Sequence, residues 1–396
     1  MADFGRDEFI ERIRKLQDFL ATRDISAAIL NQNSDLYYYT GSVQPLYLLV
    51  PASGEPVVMA RKAINRIREE VRHLQFEPFY NTKDLVRIIG KTLQEPIKKI
   101  GLTLDTTSYA TVIRWQQLCG GAEVVDLSLD IRILRIIKSS AEIAIQTKAG
   151  EVMDAVPVLV KKSFQPGMTE LELSAALENH FRLNGHAVLV RCRREGIEMG
   201  FGVCSAGINS LAGTKFDGIC AGVGGAAAVP YGASKQPIPK NVPVILDYAF
   251  NYQGYHLDQT RMFCWGEPAE EVKKAYLAML QVEQAIIKDL KPNKIWSEVY
   301  ENALNLAVKL GYEKEFMGLG DEKVRFVGHG VGLELDEPPF LAPKMEYPLA
   351  AGMVVAIEPK VSLPGIGVVG IEDTLVIGDQ DCNLLTTASN ELLVIP

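Results

Sequence analysis

Five side chains in the second half of the chain have the types and settings of metal ligands. Asp247 lies in the apolar run Val244-Ile245-Leu246-Asp247-Tyr248-Ala249-Phe250, and Asp258 in Tyr255-His256-Leu257-Asp258-Gln259-Thr260-Arg261. Turn residues Asn251 to Gly254 separate them, so both aspartates fall on the paired strands of one hairpin. Asp is disfavoured in strands and rarely buried without a partner. A shared cation would be such a partner, although on this hairpin alone two solvated aspartates would read the same way. Glu358 ends the apolar strand Met353-Val354-Val355-Ala356-Ile357, and Glu372 is carried by a second apolar strand, Val368 to Val376. An unpaired buried carboxylate costs several kcal/mol, so a fixed positive charge is expected beside each. His329 lies in Phe326-Val327-Gly328-His329-Gly330-Val331-Gly332. Glycine on both sides lets backbone approach the imidazole closely.

A lone histidine is more often structural than a ligand, and it is the set that points to metal. Four carboxylates and one imidazole suit Mn²⁺, Co²⁺, Fe²⁺ or Zn²⁺. Two such ions a few ångströms apart can hold a bridging hydroxide and polarise a carbonyl, which is the chemistry of hydrolysis.

The elements that position these residues follow from the pattern around them. At 396 residues the chain exceeds the usual single-domain size, so two domains are expected. Phe9 to Thr22 has helical apolar spacing. Ala27 to Leu30 reads as a strand, and Leu46–Val50 with Pro56–Ala60 reads as a hairpin. Strand and helix signals continue through Ile100-Gly101-Leu102 and Val124-Val125-Asp126-Leu127. This alternation predicts an α/β N-terminal domain over 1–134. Ser139 and Glu142 have capping-box spacing before a long amphipathic segment to about Lys162, which starts a second domain over 135–396. A helix over about 169–184, strands over 199–265, helices near 268–290 and 296–311, and a strand-rich end from about 324 make that domain α+β.

Composition excludes several classes. A hydrophobic fraction of 47% with 23% charged residues is that of a globular protein. A net charge of −8 argues against nucleic acid or an anionic membrane as partner. The basic stretch Arg191-Cys192-Arg193-Arg194 is too short to reverse that. The six cysteines form no C-x-x-C pair and read as reduced thiols. No apolar h-region opens the sequence and no run reaches membrane-spanning length, so a cytoplasmic protein is expected.

The stretches LDYAFNYQGYHLDQTR, GHGVGLELDEPP, GMVVAIEPK and GIEDT, in this order and with these gaps, resemble the creatinase/aminopeptidase P/prolidase family of pita-bread-fold metallopeptidases. The segments RIIKSSAEI, GMTELEL and SDLYYYTG are also similar to that family, so the resemblance spans nearly the whole chain. It implies a creatinase-type, ribonuclease H-like N-terminal domain and a pita-bread C-terminal domain. It implies two divalent metal ions, Mn²⁺ or Co²⁺ first and Zn²⁺ or Fe²⁺ next. Asp247 would bind one ion through both oxygens, Asp258 and Glu372 would bridge, and His329 with Glu358 would complete the second ion's shell. Glu358 would also shuttle the proton from the water to the leaving nitrogen, and Arg261 would order the ligands from behind or serve as a structural salt bridge. The implied activity is that of an Xaa-Pro dipeptidase or aminopeptidase acting on short peptides. The implied assembly is a homodimer in which the N-terminal domain helps line the site.

Two positions depart from the family's pattern. Tyr231, in Val229-Pro230-Tyr231-Gly232, stands where these peptidases carry a histidine, and Asp336, in Leu333-Glu334-Leu335-Asp336-Glu337, replaces another. Of the five histidines, 73, 180, 186, 256 and 329, only His329 falls at a motif position. An ionised Asp only accepts hydrogen bonds, and beside an oxyanion it disfavours the transition state. Tyr231 still donates. The alternatives are therefore a hydrolase or lyase on a small, cationic non-peptide substrate, with Arg191 and Arg193 upstream of Glu198 lining its pocket, or a catalytically silent peptide-binding relative.

Overall fold

The computed structural model describes residues 4–93, 96–193, 197, 199–214 and 218–396. The chain divides into two compact units, Met1–Arg135 with Arg193–Glu195, and Ile136–Cys192 with Gly196–Pro396.

The first unit is an α/β sandwich. Its strands are β1 (Ala27–Leu30), β2 (Leu46–Pro51), β3 (Val57–Ala60), β4 (Gln75–Pro78), β5 (Lys99–Leu102) and β6 (Glu123–Asp126). They form one mixed sheet in the order β4-β3-β2-β1-β5-β6. The expected hairpin is the antiparallel pair β2–β3, with Leu46 opposite Ala60. Helices α1 (Arg6–Thr22), α2 (Asn33–Thr40), α3 (Ile64–Glu70), α4 (Thr82–Leu93), α5 (Tyr109–Leu118) and α6 (Ser128–Leu134) accompany it. Leu85, Ile88 and Ile89 of α4 and Trp115 of α5 bury against Ile29, Leu49 and Ile100 of the sheet. Arg193 belongs to this unit. Its guanidinium is bound to Asp35 at 3.0 and 3.1 Å and to Asp105 at 2.7 and 3.1 Å. The expectation that Arg193 lines a substrate pocket is thereby corrected. Arg194 and Glu198 lie outside the described residues.

The second unit begins with α7 (Ser140–Met153), closed at its start by the expected capping box of Ser139 and Glu142. The segment read as one helix to Lys162 is two, because α8 (Val156–Ser163) restarts with Pro157 in its first turn; proline is pre-shaped for that position and has no N–H to continue the previous helix. A second capping box, Thr169 with Glu172, opens α9 (Glu170–Leu183). Leu173, Leu177 and Phe181 of α9 bury against Tyr248, Phe250 and Phe263. These belong to the four-stranded sheet β17-β9-β8-β7, made of β7 (Gly202–Ala206), β8 (Pro243–Tyr252), β9 (Tyr255–Trp265) and β17 (Leu393–Ile395). Helices α10 (Glu270–Asp289) and α11 (Trp296–Lys309) follow at the expected places.

A five-stranded sheet, β11-β10-β12-β15-β16, contains β10 (Gly328–Gly330), β11 (Glu337–Phe340), β12 (Val354–Ile357), β15 (Asp373–Ile377) and β16 (Cys382–Leu384). Strands β13 (Lys360–Leu363) and β14 (Gly367–Gly370) make a separate ribbon. The single strand expected over 368–376 is therefore two, and Glu372 occupies the break where the chain passes from ribbon to sheet. Gln146 of α7 joins both sheets, donating to His256 O at 2.9 Å and Val331 O at 3.1 Å. All six cysteines are free thiols. Among the described residues no helix is long and apolar enough to cross a membrane.

Candidate metal centre

The hairpin β8–β9 sets Asp247 opposite Thr260 and Ala249 opposite Asp258. The two aspartates are thus diagonal neighbours on one face of the pair. Thr260 forms an isolated bridge with Glu372, which brings the Glu372 side chain over that face. There Thr260 Oγ1 donates to Glu372 Oε2 at 2.8 Å. Strand β10 pairs with β12 so that His329 faces Ala356, one turn of the pleat from Glu358. The glycines beside His329 serve these strand contacts. A Cβ at 328 would lie 2.5 Å from Ala356 O, and one at 330 would lie 2.3 Å from Pro338 O. Backbone also approaches the imidazole, with Gly330 O 3.3 Å from His329 Nδ1.

The five expected ligands converge. Asp258, His329 and Glu372 are buried and each offers a ligand atom, all within 4.8 Å of one another. His329 Nε2 is 3.6 Å from Glu358 Oε1 and 4.0 Å from both Asp258 Oδ2 and Glu372 Oε1. Glu372 Oε1 is buried without a hydrogen-bond partner, which is the condition of an atom awaiting a cation. These residues fit a divalent ion.

A residue outside the expected set fills the other half of the cluster. Lys360, fully buried at the start of β13, places Nζ 3.1 Å from Asp247 Oδ2, 2.7 Å from Glu358 Oε2 and 2.9 Å from Glu372 Oε2. Glu358 and Glu372 therefore divide their oxygens, Oε1 toward His329 and Oε2 toward Lys360. The Lys360 stem needs glycine opposite, since a Cβ at Gly370 would lie 2.5 Å from Lys360 Cγ. Cys220 is a second unforeseen member, its thiol donating to Asp247 Oδ2 at 3.0 Å. The expectation of two ions thus meets a fixed ammonium among three of the five ligands. The sequence held a signal for this. Lys360 is followed by Val361 and Leu363 in an apolar stretch, and a buried lysine requires an anion beside it just as a buried carboxylate requires a cation.

The electrostatics follow from that crowding. Burial holds the Asp258 carboxyl well above its usual range, with the charges of Glu372 and Asp247 adding and Lys360 opposing. Burial pushes Glu372 up to about 7 against the pull of Lys360. Burial would lower Lys360, but Asp247, Glu358 and Glu372 raise it well above its ordinary value. Burial would also lower His329, and the charges of Asp336, Glu358 and Glu372 outweigh it. Burial and the Asp247 charge push the Cys220 thiol well up.

The remaining candidates surround this cluster. Asp336 is half-buried in the turn between β10 and β11, close enough for its charge to act on His329. Tyr231 is half-buried in the loop that runs from Cys220 toward β8. Buried Glu170 pins the end of that loop, accepting from Ser234 N at 3.0 Å and from Ser234 Oγ at 2.6 Å. Arg261 turns away from the carboxylates of Asp258 and Glu372. It donates to the main-chain oxygens of Thr260, Glu372 and Ala388, each at 2.9 Å, and to Asp373 Oδ1 at 2.7 Å. These bonds go to the backbone and to Asp373 rather than to the five clustered side chains. His186 and His256 are structural: His186 bonds Ala249 O at 3.0 Å, and His256 lies between Gly332 O and Arg191 N, both at 3.0 Å.

Residues 144–379 match Metallopeptidase family M24, and residues 12–137 match the Creatinase/Prolidase N-terminal domain. The chain belongs to metallopeptidase family M24. It is 28% identical to the Xaa-Pro dipeptidase of Pyrococcus horikoshii over 387 residues, covering 97% of this chain and 99% of that one. The crystal structure of the prolidase from that organism superposes with a TM-score of 0.80 at 26% identity, over 97% of this chain and 100% of that one. The Xaa-Pro dipeptidase from Bacillus anthracis shares the fold, with a TM-score of 0.82 at 23% identity over 98% and 100% of the two chains. The expected architecture, a creatinase-type domain followed by a pita-bread domain, is therefore the observed one. This M24 chain is a peptidase-type hydrolase of a family that works with divalent metal ions.

Proposed function

We propose that this M24 peptidase is an Xaa-Pro dipeptidase or aminopeptidase, cleaving short peptides before proline. The observation that carries the proposal is the convergence of Asp247, Asp258, His329, Glu358 and Glu372 on one buried cluster that retains an unpartnered oxygen, Glu372 Oε1. Asp258, His329 and Glu372, with Glu358 Oε1, are the residues that would hold a divalent ion, Mn²⁺ or Co²⁺ before Zn²⁺ or Fe²⁺. Such an ion supplies Lewis acidity and lowers the pKa of water. Glu358 moves the proton to the departing nitrogen, and Tyr231 offers a hydrogen-bond donor to the substrate. The proposed setting is a cytoplasmic homodimer, without nucleic acid or membrane partners.

A second reading is favoured by one observation, the Asp336 carboxylate whose charge reaches His329. It would suit a small cationic substrate better than an oxyanion. The two separate in one experiment. Protein loaded with Mn²⁺ or Co²⁺ is incubated with Xaa-Pro dipeptides and Xaa-Pro-Yaa tripeptides, and release of the N-terminal residue is expected. A panel left intact by metal-loaded protein sinks the Xaa-Pro reading and leaves the small-substrate one.

A further inference from the structure

Resting on the reading of this cluster as a metallopeptidase centre, we infer that the centre is built for one divalent ion, with the Lys360 ammonium standing permanently in the place of a second. The geometry divides cleanly. Asp258, His329 and Glu372 keep ligand atoms within 4.8 Å of one another, and Glu372 Oε1 is unpartnered. Asp247 Oδ2, Glu358 Oε2 and Glu372 Oε2 instead surround Lys360 Nζ at 3.1, 2.7 and 2.9 Å. An ammonium has three N–H donors and no lone pair. Its three donors match these three acceptors, so Lys360 is satisfied by hydrogen bonding and cannot itself ligate.

Charge leads the same way. Four carboxylates face one ammonium and one divalent ion, a near balance within a buried site. A second divalent ion would have to sit among the oxygens that hold Nζ, where the ammonium repels it and leaves it no coordination shell. Displacing Lys360 is not free either. Its side chain is fully buried, and its stem lies against Gly370 in space that any larger residue there would fill. Asp247 then keeps a structural part as an acceptor for Lys360 and for the Cys220 thiol, 3.0 Å away.

Ion counting tests this without any substrate. Full-length protein is equilibrated with excess Mn²⁺, desalted, and its metal counted per chain by mass spectrometry. One ion is expected in the natural chain and two in Lys360→Gly, which frees the three oxygens. A natural chain holding two ions or none, or an unchanged count in the variant, overturns the inference. Should the variant not fold, electron paramagnetic resonance of the Mn²⁺-loaded natural chain decides alone. An isolated-ion hyperfine pattern supports the single site, and an exchange-coupled pair overturns it. A peptide panel that fails beside a count of one removes the Xaa-Pro reading and spares this one, whereas cleavage beside a count of two does the reverse.

Discussion

Arg261 reaches the main-chain oxygen of Glu372 at 2.9 Å, although the two residues are 111 positions apart. The same guanidinium carries Asp373 and Ala388 O, so one side chain sets the path of the segment that delivers Glu372 to the cluster. Arg261→Lys keeps the charge but loses the fork that spans these acceptors. Metal affinity should fall about 10- to 100-fold, as for other residues that orient ligands, with the fold retained. Arg261→Ala leaves Asp373 buried with the Thr386 hydroxyl but without its countercharge, and should cost about 3–5 kcal/mol in urea unfolding. Unchanged metal titration in Arg261→Lys would show that the contact positions nothing.

Lys138 and Glu337 form a buried ion pair at 2.7 Å, each side chain 1% exposed. Glu337 Oε2 also accepts from Glu334 N, so the pair braces the turn that carries Asp336. Lys138→Met should destabilise the protein by about 3–5 kcal/mol, because it strands a buried charge. Lys138→Met with Glu337→Met should recover most of that loss. Equal destabilisation in the single and double variants, by urea midpoint, would contradict this account.

Asp336→His places a group that both donates and accepts where the carboxylate acts on His329. For an Xaa-Pro peptidase, kcat/KM on Xaa-Pro dipeptides should rise about 100-fold, the low end of what a positioned proton donor contributes. A fall or no change points to a natural substrate that uses the carboxylate.

His186 gives the stability a pH dependence. Its Nδ1 accepts from Val188 N at 2.8 Å while Nε2 donates to Ala249 O, so the buried ring is held neutral. Burial keeps it below the ordinary 6.5, against the Ala249 bond and with the Arg182 charge adding. The unfolded chain takes up a proton as pH falls through 6.5, and the folded chain does so only lower down. The stabilisation is present above 6.5 and is lost as pH drops toward the folded value. His186 should therefore contribute a fall in the urea midpoint between pH 7 and pH 5, read as the difference between the natural chain and His186→Gln across that window.

The sequence made the carboxylates and His329 legible because each breaks an apolar pattern, and a broken pattern has to be compensated in the fold. Asp247 and Asp258 on one hairpin, and Glu358 at a strand end, follow from period-two alternation and turn residues alone. The register that makes them diagonal neighbours, and the break that lifts Glu372 out of a strand, depend on tertiary pairing with Thr260, which no local pattern carries. Lys360 breaks an apolar pattern as the carboxylates do, but lysines are so commonly solvated that the pattern around one is a weak signal. Cys220 gave no signal. In a glycine-rich loop, a thiol that ends beside Asp247 looks like any other.

A cation attached to the backbone has no dissociation constant. Chelators cannot strip Lys360 from Asp247, Glu358 and Glu372, and scarcity of metal in the surroundings cannot empty that half of the cluster. The acidic cluster is thus assembled, oriented and partly neutralised as soon as the chain folds, before any ion arrives. Metal supply then governs when the centre works without deciding whether it forms.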